Sequence, residues 1–288
     1  MNLVANARMY SVTPASKAVW TQLFGWVLAR SRVDAVLLAH DPPNVLSDLW
    51  ARDDLVAVMM CGLPLSRRAI EAVILAQPLP SLPRYGGRAV YCTDIVVGAG
   101  SAFKTLADTF GHRAGYTRKD SQSGYYAFRH HLLTRHPGNP QPYSSITGGL
   151  VNARGIIQAI AENRINVGPL DAYAHDLIRH TEPDYAAPVR IVATTAPTPM
   201  PAIMASARLT DDELDRLRDA FKAAIAAADL AAARVALLLA DFVVPDPALF
   251  RMQFDRAALV DALPRLAVTG RCFDRYGAVV KRLGIRAD

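Results

Sequence analysis

The first ninety residues alternate between short apolar runs and amphipathic stretches, and this alternation constrains the fold more than any other feature. Residues 3–5, 33–39 and 55–60 predict strands, the last of them apolar throughout, as expected of a strand covered on both faces. Thr13-Pro14 predicts a helix start, because a capping residue precedes proline at the first helical position. Strands that alternate with helices predict a parallel α/β sheet.

Ligands of such sheets bind beyond the carboxyl ends of the strands. The loops that contain Tyr10, His40 and Cys61 follow those ends. We therefore count Tyr10 and Cys61 as candidate ligand-binding residues.

Two strand-like connections, near residues 92 and 193, bracket a central block of alternating strands and helices. A lobe inserted into another lobe produces this pattern. We expect residues 1–92 and 194–288 to form one discontinuous lobe and residues 93–193 to form the other. Beyond residue 195 the pattern is mainly helical, with a capping box at residues 210–213.

The composition is that of a globular chain, with 51% hydrophobic and 20% charged residues. The net charge of +6 is spread along the sequence, and no aromatic and basic motif accompanies it, so we expect no nucleic-acid partner. Cys61, Cys92 and Cys272 form no CxxC pair, which predicts neither a zinc site nor a disulfide framework.

No secretory signal is present at the start of the sequence. The most apolar long segment, residues 223–240, contains Asp229 and Arg234 and predicts a packed helix. We therefore expect no insertion into a membrane.

Residues 120–125 read Asp-Ser-Gln-Ser-Gly-Tyr and lie between a predicted strand and a predicted helix. Backbone N–H groups and the positive end of the helix dipole favour an anion at such a position. Of the two serines, we expect one to cap the helix and the other to donate to a ligand. The candidate ligand-binding residues of this turn are Ser121, Gln122, Ser123, Gly124 and Tyr125. The alternative is an ordinary helix cap, since serine is a preferred capping residue.

Two short segments, one around Ser123 and one at residues 98–105, resemble enzyme motifs, but neither has all the glycines that those motifs require. Ser123 lacks the glycines two residues before and after it that a nucleophile elbow requires. Residues 98–105 imitate a phosphate-binding loop, but Phe103 occupies the glycine position before the lysine and would block the approach of a phosphate.

Residues 120–125 are called the serine turn below. Three histidines follow it, namely His130, His131 and His136. Adjacent histidines on a helix point about 100° apart and cannot chelate one ion together. We expect a solvated helix face and no metal.

Asp171 follows an apolar strand that ends in a Gly-Pro turn signal. Its carboxylate could act as a general base, accept a hydrogen bond from a protonated ligand atom, or cap the next helix. No motif links a second carboxylate or histidine to it, which argues against acid–base catalysis. We expect it to discriminate between protonated and fully ionised anions.

Several short segments occur in the order found in a known family. Residues 87–91 (Gly-Arg-Ala-Val-Tyr) and 106–108 (Leu-Ala-Asp) precede the serine turn, and the helix at 152–163, Asp171 and residues 190–192 and 199–201 follow it. In this order the chain resembles the substrate-binding proteins of phosphate, phosphite and phosphonate ABC transporters. The likeness covers residues 85–205 well and the N-terminal lobe more loosely.

The resemblance implies an α/β fold of the type 2 periplasmic-binding-protein class, with two lobes, two crossover strands and an anion in the cleft between the lobes. It also implies that Tyr10, the serine turn and Asp171 line that cleft. Family members often have a histidine or acidic residue in the segment from Thr147 to Asn152, which reads Thr-Gly-Gly-Leu-Val-Asn here. We count Thr147 and Asn152 as further candidate ligand-binding residues.

We therefore expect a monomeric solute-binding protein for a small oxyanion, with an ABC permease as partner and with no catalytic residue, cofactor or metal. By resemblance it is periplasmic, and the missing signal leaves a cytoplasmic location open. The alternative is an enzyme or sensor on the same fold, of the thiamine-precursor or menaquinone-pathway type.

Overall fold

The computed structural model describes residues 3–42, 44–66, 71–136, 139 and 141–262, so Cys272 lies outside the described residues. The strands, in chain order, are β1 Leu3–Asn6, β2 Ala35–Leu37, β3 Leu55–Met60, β4 Ala72–Pro80, β5 Val90–Tyr91, β6 Thr93–Gly98, β7 Arg113–Gly115, β8 Ser145–Thr147, β9 Val167–Asp171, β10 Val189–Thr194, β11 Thr198–Pro199, β12 Ala202–Ser206 and β13 Leu239–Val243. The α-helices are α1 Pro14–Ser31, α2 Leu46–Trp50, α3 Gly62–Ser66, α4 Ala127–Arg135, α5 Ala153–Ala161, α6 Ala172–Thr181, α7 Pro183–Ala186, α8 Asp211–Ala226, α9 Ala231–Ala236 and α10 Arg251–Ala262.

The chain forms two compact units. Of the described residues, unit 1 contains those up to Tyr91 together with Asp176–Glu182 and Pro199–Phe250. Unit 2 contains the described residues of Cys92–His175, Pro183–Thr198 and those from Arg251 to Ala262. The chain passes between the units at residues 91/92, 175/176, 182/183, 198/199 and 250/251, and the last passage returns it to unit 2 with α10.

Unit 1 has a six-stranded sheet in the order β13-β4-β12-β3-β1-β2. The predicted parallel pairing occurs where β1 lies beside β2 and β3. The other half is antiparallel, since β12 runs opposite to both β3 and β4, and β13 runs opposite to β4. β4 is not among the strands predicted from the sequence, and its last residues include Pro78 and Pro80. Both prolines lie at the end of β4 that pairs with the edge strand β13, where proline is tolerated.

The core of unit 1 is formed by the sheet and the helices packed on it. The predicted start of α1 is confirmed, since the hydroxyl of Thr13 accepts a hydrogen bond from the Ser16 N–H at 3.0 Å. Phe24 of α1 contacts Phe221 of α8 edge to face, with 5.7 Å between ring centroids. The capping box that begins α8 is also confirmed.

Unit 2 has a five-stranded sheet in the order β10-β6-β9-β7-β8. β7 runs parallel to β8 and β9, and β6 runs antiparallel to β9 and β10. Ile95 and Val97 of β6 pack with Ala114, Phe128 and Val167 in the core of this unit. The parallel strands β7 and β9 therefore end near each other, on the side where the serine turn begins.

Ser101 is a potential helix cap, and the spacing of Phe103, Leu106, Ala107 and Phe110 after it predicts a helix, but this prediction is wrong. The described structure has a loop there, followed by one turn of 3-10 helix at Ala107–Thr109. The guanidinium of Arg190 donates hydrogen bonds to the backbone carbonyls of Ser101 and Phe103. The carboxylate of Asp108 accepts hydrogen bonds from the Lys104 and Thr105 N–H groups, which closes the turn.

The apolar segment 223–240 is divided between α8, α9 and the beginning of β13, so the prediction of a single packed helix is wrong. The guanidinium of Arg234 donates to the carbonyls of Ala224 and Ala227, at 3.2 and 2.7 Å, and this ends α8. Among the described residues, none of the helices has both the length and the apolar character that crossing a bilayer requires.

Candidate functional site

The serine turn begins a continuous helix in unit 2. Five residues, Gln122–Tyr126, form one turn of π-helix and lead directly into the nine residues of α4. Ser121 caps this helix, because its Oγ accepts a hydrogen bond from the Gly124 N–H at 3.0 Å. The carbonyl of Ser121 accepts from the Tyr126 N–H at 3.1 Å. The prediction that one of the two serines caps the helix is therefore confirmed.

Several polar groups of this turn have no hydrogen-bond partner among the described residues. They are the N–H groups of Gln122 and Ser123, the hydroxyl of Ser123 and both polar atoms of the Gln122 side chain. The Gln122 side chain is buried, with 1% of the residue exposed. The first N–H groups of a helix have no acceptor within the helix, and they carry the positive end of its dipole. The arrangement can therefore donate several hydrogen bonds to an anion.

Neighbouring strands fix the backbone of the turn. The hydroxyl of Thr93, at the start of β6, donates to the Ser123 carbonyl at 3.0 Å, and the Thr117 N–H donates to the Gly124 carbonyl at 3.2 Å. A Cβ atom at Gly124 would lie 1.8 Å from the hydroxyl oxygen of Thr117. The close approach of Thr117 therefore requires glycine at this position.

An ion pair neutralises the carboxylate next to the turn. The guanidinium of Arg118 donates to both carboxylate oxygens of Asp120, at 3.0 and 2.9 Å. Burial acts to raise the pKa of Asp120, and the hydrogen bonds and charge of Arg118 outweigh it, so this pKa is lowered. Asp120 is ionised, and its paired charge adds little repulsion toward an anion.

Tyr125 belongs to an aromatic cluster beside the turn. Its ring contacts those of Tyr116 and Tyr126 edge to face, with centroids 5.1 and 5.2 Å away. The guanidinium carbon of Arg129 lies 5.6 Å from the Tyr125 ring centroid, within the range of a cation–π contact. These contacts hold Tyr125 half-buried at the side of the helix.

Asp171 is the last residue of β9 and the cap of α6. Its carboxylate accepts hydrogen bonds from the Tyr173 and Ala174 N–H groups, at 3.0 and 3.1 Å. In the sheet it lies opposite Thr93, the residue that contacts Ser123. The structure thus shows the capping contacts, one of the three alternatives left open by the sequence, and places Asp171 at the same end of the sheet as the serine turn.

Thr147 and Asn152 flank a loop that contacts the segment before the serine turn. The carbonyl of Thr147 accepts from the Tyr116 N–H at 3.0 Å, and the side chain of Asn152 caps α5 by accepting from the Gly155 N–H at 3.2 Å. Val151, between them, donates its N–H to the Thr117 carbonyl and has a φ of 67°. Such a φ is strained for a β-branched residue.

Tyr10 and Cys61 lie in unit 1. Tyr10 ends a 3-10 turn after β1 and is buried, and its hydroxyl is 4.0 Å from the sulfur of Met200. Cys61 follows β3, is half-buried and packs against the hydrophobic core of the unit. Their assignment as ligand-binding residues stays a prediction.

Within unit 2 the structure brings together the serine turn, Asp171 and the segment from Thr147 to Asn152. Sequence analysis missed the residues that join them, namely Thr93, Tyr116 and Thr117. Thr93 and Thr117 lie in or next to apolar stretches typical of strands, where β-branched residues are common. For Thr117, its position between a strand and the polar turn was the available signal.

His130, His131 and His136 are each half-buried, so they are less exposed than the predicted solvated helix face. Burial is the largest cause that lowers the pKa of His130 and of His131 to about 4. The charge of Arg256 adds to it for His130, as do the neighbouring His136 and Arg135 for His131. Both imidazoles are therefore neutral at neutral pH. In the part of the chain that the structure describes, no three His, Cys, Asp or Glu side chains gather as metal ligands.

Comparisons with known proteins identify a family and a fold. Residues 59–249 match the model of a family described as periplasmic substrate-binding proteins of phosphonate ABC transporters. A comparison with curated proteins finds no match.

Several solved structures have a similar fold. A binding-protein component of an ABC phosphonate transporter from Pseudomonas aeruginosa has a TM-score of 0.78 and 15% identity, over 99% of this chain and 96% of that one. A Prochlorococcus marinus protein in complex with methylphosphonate has a TM-score of 0.72 and 11% identity, over 88% of this chain and 96% of that one. A Xanthomonas citri protein bound to ATP has a TM-score of 0.61 and 19% identity, over 98% of both chains. At these identities the likeness shows the fold.

Proposed function

Because this chain belongs to the family of periplasmic substrate-binding proteins of phosphonate ABC transporters, we propose that it captures a small oxyanion of the phosphonate or phosphate type at the serine turn. The family consists of binding proteins and not of enzymes, and its fold is the two-lobed α/β fold of periplasmic binding proteins. On this proposal the serine turn binds the ligand and catalyses no reaction.

The observation that carries this proposal is the group of unpaired donors at the start of the Gln122–Arg135 helix. The N–H groups of Gln122 and Ser123, the Ser123 hydroxyl and the buried Gln122 amide have no partner among the residues described. Donors left unpaired in a buried place cost free energy, and an anion supplies the acceptors that they lack. Lys and Arg exceed Asp and Glu by six in the whole sequence, which adds a weak general attraction for anions.

The two serines provide the test, because the structure gives them different contacts. The Ser121 hydroxyl accepts from the Gly124 N–H, whereas the Ser123 hydroxyl is unpaired among the described residues. We expect Ser123→Ala to weaken the binding of methylphosphonate by about tenfold or more, since a hydrogen bond to a charged group is lost, while the free energy of unfolding stays nearly unchanged. Titration calorimetry measures the first quantity and urea unfolding the second.

Ser121→Ala is the matched control. It should lower the free energy of unfolding by about 0.5–2 kcal/mol, because it removes a helix cap. If the wild-type protein binds neither methylphosphonate, phosphite nor phosphate, the proposal is wrong. Unchanged affinity in Ser123→Ala would reduce the turn to an ordinary helix cap.

We further propose that the protein acts in the periplasm and passes its ligand to an ABC permease. The family to which the chain belongs is periplasmic and serves such transporters, and this supports the proposal. Cell fractionation tests the location. Stimulation of the permease ATPase by the loaded protein, and not by Ser123→Ala at the same concentration of ligand, tests the partnership.

A further inference from the structure

Gln122 has a buried side-chain amide whose nitrogen and oxygen both lack a hydrogen-bond partner among the described residues. Only 1% of the residue is exposed, so water does not reach the amide freely. Buried polar groups in proteins are nearly always paired, and leaving one unpaired destabilises the fold. Exchanging the assigned positions of the two amide atoms changes nothing here, because neither position has a partner.

The location of the amide connects it with the serine turn. Gln122 is the first residue of the helix, and its own N–H and that of Ser123 have no hydrogen-bond partner within the described part of the chain. An anion at this helix end would accept hydrogen bonds from these groups and from Nε2 of Gln122. The Gln122 oxygen Oε1 differs from these donors, because it only accepts hydrogen bonds and repels the lone pairs of an unprotonated anionic oxygen.

On the basis of the proposed function, we propose that Gln122 makes this site selective for an oxyanion that carries a proton. The ligand O–H donates to Oε1 of Gln122, and a neighbouring oxygen of the same ligand accepts from Nε2. The two hydrogen bonds form a cyclic pair like that between an amide and a carboxylic acid. A singly protonated phosphonate or phosphate presents both groups, whereas a sulfonate of the same shape and charge has acceptors alone.

The sequence pattern assigned this acceptor role to Asp171, but its carboxylate accepts from two backbone N–H groups at the start of α6. A neutral amide suits the role better than a carboxylate does. It accepts the ligand proton without a full negative charge, which would oppose an anion at the same place. Gln122 therefore supplies both selectivity and part of the attraction.

The test compares methylphosphonate with methanesulfonate at a mildly acidic pH, below the second pKa of methylphosphonate, where both ligands are monoanions. We expect the wild-type protein to prefer methylphosphonate by about 10- to 100-fold, because the sulfonate leaves the buried acceptor unpaired. Gln122→Met keeps the length of the side chain and removes both polar atoms. It should reduce the preference to about threefold or less, and it should not lower stability, since it removes unpaired buried groups.

Gln158→Met is the matched control. Gln158 lies on an exposed face of α5 in the same unit, where its Nε2 donates to Glu162 at 2.8 Å, and its replacement should leave the preference unchanged. Equal affinities for the two ligands in the wild-type protein overturn the inference without any variant. A wild-type preference that persists in Gln122→Met overturns it as well. Both results leave the proposed function standing, whereas failure of the wild-type protein to bind either anion overturns the function and the inference together.

Discussion

At the scale of single residues, Asp171 shows how one carboxylate in a sequence is compatible with several roles, of which the structure shows the helix cap. Its position after an apolar strand allowed a base, a ligand acceptor or a helix cap. The structure shows hydrogen bonds from the Tyr173 and Ala174 N–H groups, as expected of a cap. Sequence could not decide among the roles, because all three use a carboxylate at the same end of a strand.

Two substitutions of Asp171 separate the capping role from a ligand role. We expect Asp171→Ala to lower the free energy of unfolding by about 0.5–2 kcal/mol and Asp171→Asn to change it little, because asparagine is an equally good cap. Urea unfolding measures both. If Asp171→Asn instead changes the relative affinity for methylphosphonate and methanesulfonate as strongly as Gln122→Met does, Asp171 is a ligand acceptor after all.

For Gln122 the sequence predicted the position of the residue but not the environment of its side chain. The sequence placed it in the candidate turn, but it gave no sign that both polar atoms of the side chain would be buried and unpaired. Glutamine is usually exposed, and a polar turn predicts a solvated side chain. The burial arises from the packing of the helix against its own sheet, which a local pattern does not contain.

At the scale of elements, the serine turn was predictable and the strands around it were predictable in part. Serine at a cap, glycine at Gly124 and apolar spacing after Tyr125 are local signals, and the helix they predicted is present. The helix expected at Ser101 does not form. Arg190, which is far away in the sequence, donates hydrogen bonds to the backbone carbonyls of that segment instead. Tertiary hydrogen bonds override local propensity in such cases.

Gly124→Ala tests how tightly this element is built. The new methyl group would lie 1.8 Å from the Thr117 hydroxyl oxygen, so either the helix start or Thr117 has to move. We expect a loss of about 1–3 kcal/mol in the free energy of unfolding, as for other overpacked positions, and weaker binding of methylphosphonate.

Gly100→Ala is the matched control in the same unit, since a Cβ atom there meets nothing within 4 Å. It should be nearly neutral or slightly stabilising, because alanine restricts the unfolded chain. If Gly124→Ala is as well tolerated as Gly100→Ala in thermal unfolding, the turn is looser than its contacts indicate.

At the scale of the whole molecule, the order of short motifs along the chain predicted the family and the α/β fold. It did not predict the return of α10 to unit 2. That helix packs on α4, and the Tyr126 hydroxyl donates to the Asp261 carboxylate at 3.1 Å. The contact joins residues far apart in sequence, and neither carries a local signal for it.

Acid should destabilise the protein through His130 and His131. Their pKa values are about 4 in the folded state and near 6.5 when unperturbed, so the unfolded chain binds more protons between these values. The free energy of unfolding should therefore fall as the pH falls from 6.5 to about 4. Urea unfolding at a series of pH values measures the slope, and the double variant His130→Gln/His131→Gln should flatten it. If the free energy of unfolding of the double variant depends on pH as steeply as that of the wild-type protein, groups other than these histidines cause the acid sensitivity.

The central claim is that a small oxyanion binds at the start of the Gln122–Arg135 helix, and an NMR titration tests it residue by residue. In protein labelled with nitrogen-15, added methylphosphonate should shift the backbone amide signals of Gln122, Ser123 and Gly124 most strongly. The side-chain NH₂ signals of Gln122 should move along the same saturation curve, because all these groups share one ligand. Saturable shifts that leave this turn unchanged and gather elsewhere in the molecule would contradict the account.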